Sequence, residues 1–219
     1  MEVHIATLGY TKEPVLLGIR AYTIDKIILL FTNNQESINN SEEICTYVQQ
    51  SKIKCEKLLI DPFDLDDIVL KMLKISEQHP KDNLHINITG GTKIMASSAL
   101  LAGYILGIKV YYFLDDRLEE NQSKEVQELL VELPIPKTNY KEIDETQKRI
   151  MINMLDKGGR VERINSEMHD ELKLSKQTIS YHLKQMKNKE LIEIEIQGRN
   201  KIAKLTNSGK LFARMLKEK

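Results

Sequence analysis

The first 133 residues alternate between strand-like and helix-like segments, and this alternation limits the possible folds more than any other feature. Apolar runs such as "VHIAT", "KIILLF", "EKLLI", "LHINI" and "KVYYFL" are the strand candidates. Helices are expected near residues 12–22, 41–51, 65–79 and 92–106. Apolar strands that alternate with helices form largely parallel sheets covered on both faces. The sequence therefore predicts an α/β fold with a Rossmann-like, mostly parallel sheet that ends at "ELLVELPIP".

The pattern changes after Pro134 and Pro136, where "KTNYKEID" is typical of a short linker. Helices are expected near 144–156 and 164–172, and a third begins after Ser175 as its N-cap. Two strands around "GRN" and a last helix follow. This order predicts a small α+β winged helix-turn-helix domain. The expected division is a ligand-sensing domain at 1–136, a linker at 137–143 and a DNA-binding domain at 144–219.

Charge separates the two parts in the same way. Residues 1–139 carry 14 Lys and Arg against 20 Asp and Glu, and the remainder carries 18 against 12. The formal net charge of zero is therefore −6 in one part and +6 in the other. A compact basic module indicates a polyanionic partner, although a solvated basic surface would give the same count.

The third helix of the basic part has two distinct faces. Ile179, Leu183 and Met186 fall in one narrow arc and are expected in the core. The other face offers amide, hydroxyl and ammonium groups that suit base edges and phosphates in a major groove. With the hairpin tip, the predicted DNA-binding residues are Ser175, Lys176, Gln177, Thr178, Ser180, Tyr181, Lys184, Asn188, Arg199 and Lys201.

Other interpretations of the basic part stay open. Winged helices also serve as protein-interaction modules. His169 and His182 are expected to be structural rather than metal ligands. "RINSEMH", residues 163–169, matches a loose ribonuclease pattern, but it lies inside the helix-turn-helix.

In the acidic part, "NITGGTKIM" at 87–95 lies between a strand and a long apolar helix. Unpaired amides and a positive dipole at a helix N-terminus favour phosphate, and Lys93 adds a charge. Gly90 and Gly91 let a ligand approach the backbone, while Thr89 and Thr92 offer hydroxyls. The spacing fits neither GxxxxGK[ST] nor GxGxxG, so nucleoside triphosphate hydrolysis is unsupported. A tight turn that uses glycine only for packing is the alternative.

Two further polar loops are expected beside this turn. "TLGY" at 7–10 ends the first strand and "TNN" at 32–34 ends the second. The carboxyl ends of parallel strands share one edge of a sheet, where such folds bind ligands. Tyr10 is placed to stack on a base.

The chain resembles the CRISPR-associated Rossmann fold (CARF) domain fused to a winged helix, as in archaeal CRISPR transcriptional regulators. The resemblance is carried by "ATLGY", "INITGGTKIMASSAL", "VELPIP" and the winged helix, and it covers essentially the whole chain. It implies a homodimer that binds a cyclic oligoadenylate, commonly cyclic tetra-adenylate, across its two-fold axis. The ligand contacts implied are Leu8, Gly9, Tyr10, Asn33, Thr89, Gly90, Gly91, Thr92 and Lys93.

This resemblance predicts a ligand-responsive regulator of CRISPR-associated genes that binds promoter DNA and acts in antiviral defence. Some CARF domains are ring nucleases that cleave their own ligand; Lys93, Thr92 and Thr7 are the candidates for such a role here. A nucleotide-sensing regulator unrelated to CRISPR is a third interpretation. The cyclic oligoadenylate is an effector, and no cofactor is expected.

The N-terminus, the cysteines and the acidic run each lead to an expectation about localisation or metal binding. The N-terminus lacks the basic flank and apolar length of a signal peptide, and no run is long enough to cross a membrane. Cys45 and Cys55 have no metal-binding spacing and are expected as reduced thiols in a cytoplasmic protein. The acidic run "DPFDLDD" at 61–67 lacks a histidine, so no metal is expected there.

Overall fold

The computed structural model describes residues 1–138, 142–162, 164–197 and 200–217. The chain divides into two compact units, Met1–Ile135 and Pro136–Lys219. The division falls within one residue of the boundary expected after residue 136. The linker expected at 137–143 stays a prediction, because 139–141 lie outside the described residues.

The first unit is built on a six-stranded sheet with the order β3-β2-β1-β4-β5-β6. Its strands are β1 (Glu2–Thr7), β2 (Lys26–Phe31), β3 (Lys54–Leu59), β4 (Asn83–Asn87), β5 (Lys109–Phe113) and β6 (Leu130–Leu133). The first five pair in parallel, and β6 pairs antiparallel with β5. The predicted mostly parallel α/β sheet is confirmed.

Helices cover both faces of this sheet. They are α1 (Glu13–Ala21), α2 (Gln35–Gln50), α3 (Leu65–Gln78), α4 (Lys93–Leu106) and a single turn, α5 (Val126–Leu129). One face packs against α3 and α4 around Ile5, Ile86 and Met95. The other packs against α1 and α2 around Leu29 and Ile44. Packing of both faces explains why β2 is apolar at every position after Lys26.

Polar residues fix where three of the helices begin. Asn34, Asp64 and Thr92 each cap a helix by accepting a hydrogen bond from a main-chain amide two or three residues further on. The cap at Asn34 places the start of α2 at Gln35, six residues before the predicted start. The segment that begins "ELLVEL" contains a helical turn before its strand, so the predicted last strand is shorter than expected.

The two cysteines differ from the expectation of reduced thiols. Cys45 on α2 and Cys55 on β3 form a disulfide. The helical pattern of α2 did not show that Cys45 faces the neighbouring strand, because that position depends on how α2 packs across the sheet.

The second unit is a winged helix-turn-helix. Its elements are α6 (Glu145–Asp156), β7 (Arg160–Val161), α7 (Ile164–Leu172), α8 (Lys176–Asn188), β8 (Ile192–Gln197), β9 (Asn200–Leu205) and α9 (Asn207–Lys217). The three strands form an antiparallel sheet with the order β7-β9-β8. Its core joins Ile150, Met168, Leu183 and Phe212 from the four helices. The predicted winged helix-turn-helix is confirmed.

Candidate ligand site and nucleic-acid interface

The order of the strands creates a crevice between β1 and β4. From β1 the chain winds through β2 to β3 on one side, then returns to form β4 on the other side of β1. The loops after β1 and β4 therefore lead to helices on opposite faces of the sheet. Open α/β sheets bind ligands at such a switch point. "TLGY" and "TGGTK" meet there, as the sequence analysis expected.

Glycines allow these two loops to touch through their backbones. A Cβ added at Gly9 would lie 2.7 Å from the nitrogen of Gly91, and one added at Gly90 would lie 2.5 Å from the carbonyl oxygen of Thr7. Gly91 has φ +87°, in the left-handed region that favours glycine. Glycine is therefore needed here for the fold of the turn itself, in addition to any approach of a ligand.

Hydrogen bonds from two buried residues hold the turn after β4. The Thr7 hydroxyl donates to the carbonyl oxygen of Gly90 at 2.6 Å. The Asn87 Oδ1 accepts from the main-chain amide of Thr89 at 3.0 Å and from its hydroxyl at 2.7 Å. The Asn87 Nδ2 donates to the carbonyl oxygen of Pro14 at 2.9 Å, which also ties down the start of α1. Sequence reasoning missed Asn87, although a polar residue at an inward strand position was the available signal.

The threonine hydroxyls of the turn serve the fold. The Thr89 Oγ1 also accepts from the Phe113 amide at 2.9 Å. The Thr92 hydroxyl donates to the carbonyl oxygen of Pro62 at 2.8 Å and accepts from the Met95 amide at 3.1 Å. Both hydroxyl hydrogens therefore have acceptors within the fold, and the ligand contact predicted for Thr89 and Thr92 stays a prediction.

The backbone at the start of α4 keeps the donors that an anion needs. Within the described ranges, the amide nitrogens of Gly91, Lys93 and Ile94 have no hydrogen-bond acceptor. Lys93 is exposed, and no described carboxylate pairs with it. Free amides, the helix dipole and one ammonium group converge at this turn, which is the arrangement that binds phosphate.

Two of the predicted site residues lie too deep. Leu8 is fully buried, its amide donates to the carbonyl oxygen of Leu30, and its own carbonyl oxygen accepts from the Ser37 hydroxyl. A ligand contact at Leu8 therefore does not fit the structure. Thr7 is 1% exposed and its hydroxyl is held by Gly90, so it does not suit the ring-nuclease role considered for it.

A cleft of about 530 Å³ opens beside the turn. The side chain of Tyr10, which is 69% exposed, and the backbone of Gly90 and Gly91 form one side. The loop after β5 forms the other side, where Arg117 binds both carboxylate oxygens of Asp115 through its Nε and Nη2, each at 2.8 Å. Those hydrogen bonds lower the pKa of Asp115 to about 2. Sequence reasoning missed this loop because no motif marks it.

Asn33 lies in a different cleft from Tyr10. It lines a space of about 570 Å³ beside the loop after β3. That loop contacts the turn between β4 and α4 through the hydrogen bond from the Thr92 hydroxyl to the carbonyl oxygen of Pro62. The predicted ligand residues therefore divide between two clefts, with the turn between β4 and α4 adjoining both loops.

A buried polar row lies beneath the site on the α1 face. The Nδ1 of His4 is 2.7 Å from the Tyr111 hydroxyl, and its ring stacks on His85 with centroids 4.7 Å apart. The Nε2 of His85 is 3.1 Å from a carboxylate oxygen of Glu2. Burial lowers the pKa of His4 to about 3, so its imidazole is neutral at physiological pH. This row supports the strands that carry the loops.

Metal binding finds no support in the part of the chain that the structure describes. No group of three or more His, Cys, Asp or Glu side chains there is arranged to hold a metal ion. Likewise, no described helix has the length and apolar character needed to cross a membrane.

In the second unit, α8 presents the two faces that the sequence predicts. Ile179, Leu183 and Met186 are buried. The exposed side chains on α8 are Lys176, Gln177, Ser180, Tyr181, Lys184, Lys187 and Asn188. Among the described residues, none of the three lysines of this surface has a carboxylate partner. Unpaired lysines on an exposed recognition-type helix suit phosphate contacts.

The other predicted DNA-binding residues lie outside the exposed face of α8. Ser175 caps α8, where its hydroxyl accepts from the Thr178 amide at 3.1 Å. Thr178 is half-buried, and its hydroxyl lies 2.8 Å from that of Ser175. Both hydroxyls therefore take part in the N-terminal cap of α8. Lys201 is exposed on β9. Arg199 and the Arg163 of the ribonuclease pattern lie outside the described residues.

Both histidines of this unit lie beside residues that begin or join its helices. The Nδ1 of His169 lies 2.7 Å from the carbonyl oxygen of Leu174, which joins the end of α7 to the turn before α8. The Nδ1 of His182 lies 3.3 Å from the carboxylate of Asp144, the cap of α6.

Comparison with known proteins decides the family of the first unit. The family model described as "HFX_2341_N:-like, N-terminal" matches residues 2–118, more than half of the chain. The chain belongs to the HFX_2341-like family. A second model, described as "Bacterial regulatory protein, arsR family", matches residues 144–193, from the cap of α6 into β8. This HFX_2341-like protein therefore joins a CARF-like unit to an ArsR-type helix-turn-helix.

Two solved structures are similar to this chain at low sequence identity. Csm6 from Enterococcus italicus, bound to cyclic hexa-2'-fluoro-hexa-dAMP, is 14% identical, with a TM-score of 0.53 over 100% of this chain and 52% of that chain. Can2 from Sulfobacillus thermosulfidooxidans, in complex with cyclic tetra-adenylate, is 14% identical, with a TM-score of 0.48 over 99% of this chain and 63% of that chain. The HFX_2341-like chain thus spans half to two thirds of these proteins. No curated protein matches it in sequence.

Proposed function

We propose that this HFX_2341-like protein is a transcription regulator that senses a cyclic oligoadenylate with its first unit and binds promoter DNA with its second. The observation that carries the proposal is the turn between β4 and α4. Its Gly90 and Gly91 line a cleft at the switch point of the sheet, and the unpaired amides and Lys93 at the start of α4 follow directly. The matched ArsR-type helix-turn-helix supports the DNA-binding half. The ligand class is supported by the fold shared with Csm6, which is bound to a cyclic adenylate analogue.

The direct test is a pair of titrations. Isothermal titration calorimetry with cyclic tetra-adenylate and cyclic hexa-adenylate measures ligand binding, and linear tetra-adenylate is the control for ring closure. Promoter DNA is then titrated with and without the ligand that binds. Ligand and DNA must change each other's affinity by the same factor, which is typically about 5- to 150-fold where sites are coupled. Identical DNA isotherms would remove the sensing role.

Regulation of CRISPR-associated genes, and with it a role in antiviral defence, is the narrower form of the proposal. The resemblance to CARF regulators supports it. A nucleotide-sensing regulator unrelated to CRISPR would share every feature of the fold and differ in its ligand and target genes. The genes that neighbour this one, and the promoters that the protein occupies in cells, separate the two.

Ring-nuclease activity has less support than sensing. Of the three side chains considered for it, the hydroxyls of Thr7 and Thr92 donate hydrogen bonds within the fold, and Lys93 is exposed. Positioned amides and one ammonium group are enough to bind a phosphate without cleaving it. Incubation with labelled cyclic tetra-adenylate and separation of the products tests this directly.

A homodimer is part of the proposal, and α4 supplies its surface. After Lys93 this helix carries no charged residue, and its exposed side includes Leu101, Tyr104 and Ile105, with Ile105 60% exposed. A contiguous apolar patch of this kind marks an interaction surface. A two-fold dimer through α4 would also bring two copies of the turn before α4 to one symmetric ligand.

Ile105→Glu is therefore expected to convert the dimer to a monomer, because the new carboxylate would be buried without a partner at the interface. Light scattering coupled to size-exclusion chromatography measures the mass. Leu118→Glu is the control, since Leu118 is an exposed leucine of the same unit outside α4. An unchanged dimer in the Ile105 variant would place the interface elsewhere.

For DNA binding, Lys184→Ala is expected to weaken binding to all duplexes by a similar factor and to reduce the salt dependence of binding by about one counterion per lost phosphate contact. Fluorescence anisotropy over a salt series measures both. Lys210→Ala on α9 is the matched control, because it removes an exposed lysine from another helix. Gln177→Ala is expected to change the preference among sequences more than the overall affinity. Parent-like binding by the Lys184 variant would show that α8 is not the recognition helix.

A further inference from the structure

The cleft that contains Asn33 has an exposed aromatic side chain at its edge. Phe63 is 75% exposed and lines this space of about 570 Å³ with Asn33, Leu59, Pro62 and Lys71. The volume of this cleft lies within the roughly 300–1,000 Å³ typical of small-molecule sites. Exposing a phenylalanine on a folded unit costs hydrophobic stabilisation, so a ring held in this way suits a partner that covers it.

The loop that carries Phe63 is held rather than loose. The Asp61 carboxylate accepts from the Phe63 amide at 2.9 Å, and the Asp61 amide donates to the Asp67 carboxylate at 3.0 Å. Lys71 donates to the carbonyl oxygen of Leu59 at 2.7 Å. A preorganised loop presents its side chains to a partner at a lower entropic cost than a mobile one.

The same loop is hydrogen-bonded to the turn between β4 and α4. The carbonyl oxygen of Pro62, the residue before Phe63, accepts from the Thr92 hydroxyl at 2.8 Å, and Thr92 is followed by Lys93. A ligand whose phosphate lies on the turn is therefore next to the loop that carries Phe63.

Charge decides which part of such a ligand the cleft accepts. Its lining includes Asp61, Asp64 and Asp67, and the ammonium of Lys71 is taken by Asp67 at 2.6 Å. Uncompensated carboxylates repel phosphate, whereas they accept hydrogen bonds from the exocyclic amino group of a base. The cleft suits an uncharged, amino-bearing base that stacks on the ring.

We infer that Phe63 is a stacking platform for a nucleobase of the cyclic ligand, separate from Tyr10 in the first cleft. The inference rests on the proposed function and deepens it, since it assigns a second base position to each protomer. Every base presents a flat face, so the ring stacks adenine readily, and the acidic lining favours adenine over bases without an amino group.

The chain contains no tryptophan, which permits a clean probe. In Phe63→Trp, the single indole is expected to keep affinity for cyclic tetra-adenylate and to lose fluorescence when the base stacks on it. Leu70→Trp is the matched control, because Leu70 on α3 is 56% exposed and lies outside the lining of the cleft. Its fluorescence is expected to stay unchanged at saturation.

Phe63→Ala gives the energetic counterpart. Loss of each stacked base is expected to raise the dissociation constant by about 5- to 150-fold in calorimetry, and a two-fold dimer that loses both would show the product of the two factors. Light scattering on the same variant reports its oligomeric state, because a phenylalanine at a subunit interface would also be exposed in a single chain.

The outcomes separate the inference from the proposed function. If the parent binds cyclic tetra-adenylate but the Phe63→Trp signal is unchanged and Phe63→Ala binds normally, the inference is overturned and the sensing role stands. A monomeric Phe63→Ala variant would make Phe63 an interface residue and would also overturn it. Absence of binding by the parent to both cyclic adenylates would overturn the proposed function and the inference together.

Discussion

Lys93→Glu is expected to raise the dissociation constant for cyclic tetra-adenylate by roughly 10²- to 10⁴-fold. A hydrogen bond to a charged group contributes about 1.5–3 kcal/mol, and a two-fold dimer would use Lys93 twice. The substituted carboxylate would in addition repel the phosphate that the free amides of Gly91 and Ile94 attract. Calorimetry on parent and variant measures the loss.

The same substitution should leave the fold intact, which makes it a selective test. Lys93 is exposed at the first position of α4, and a carboxylate near a helix N-terminus is favourable by about 0.3–1 kcal/mol. The free energy of unfolding is therefore expected to stay equal or rise slightly. Lys81→Glu, which places the same charge change on an exposed loop before β4, controls for net charge. Strong binding by the Lys93 variant would show that the turn before α4 is not the phosphate site.

Local patterns were sufficient to predict most of the fold. The apolar strands of the first unit have partners on both faces, so their pattern alone indicates a parallel sheet covered by helices. The buried arc of Ile179, Leu183 and Met186 follows from helical geometry and needs no tertiary information. The caps Thr92 and Ser175 also act within one turn of chain. Each of these features depends on neighbours in sequence.

The candidate site was only partly predictable, because its geometry depends on contacts between distant segments. The sequence placed Gly9 and Gly91 in loops at one edge of the sheet, but the strand order decides that their backbones meet. The Thr7 hydroxyl meets its acceptor 83 residues away. Phe63 lies in a mostly acidic run that the sequence analysis considered only as a metal site. Leu8 is the reverse case, because the motif predicted a ligand contact and the structure buries the residue in the core.

The contact between Gly9 and Gly91 yields the second large effect. Gly9→Ala is expected to lower the free energy of unfolding of the first unit by about 1–3 kcal/mol, the usual cost of overpacking. The added Cβ would lie 2.7 Å from the nitrogen and 2.9 Å from the Cα of Gly91. Both atoms belong to the backbone, so no flexible side chain can move aside, and the two loops must separate. Urea denaturation followed by circular dichroism measures the change.

Separation of the loops should also reduce ligand affinity, because it displaces the Gly91 amide from the phosphate position. Loss of one hydrogen bond to a charged group corresponds to roughly a 10- to 150-fold weaker complex. Gly158→Ala separates steric crowding from backbone strain, since Gly158 has φ +75° and a Cβ there meets nothing within 4 Å. Its cost should be about 1–2 kcal/mol from the left-handed conformation, with ligand affinity unchanged. If Gly9→Ala unfolds like the parent and still binds the ligand, the two loops are free to part, and the close approach of their backbones does not define the site.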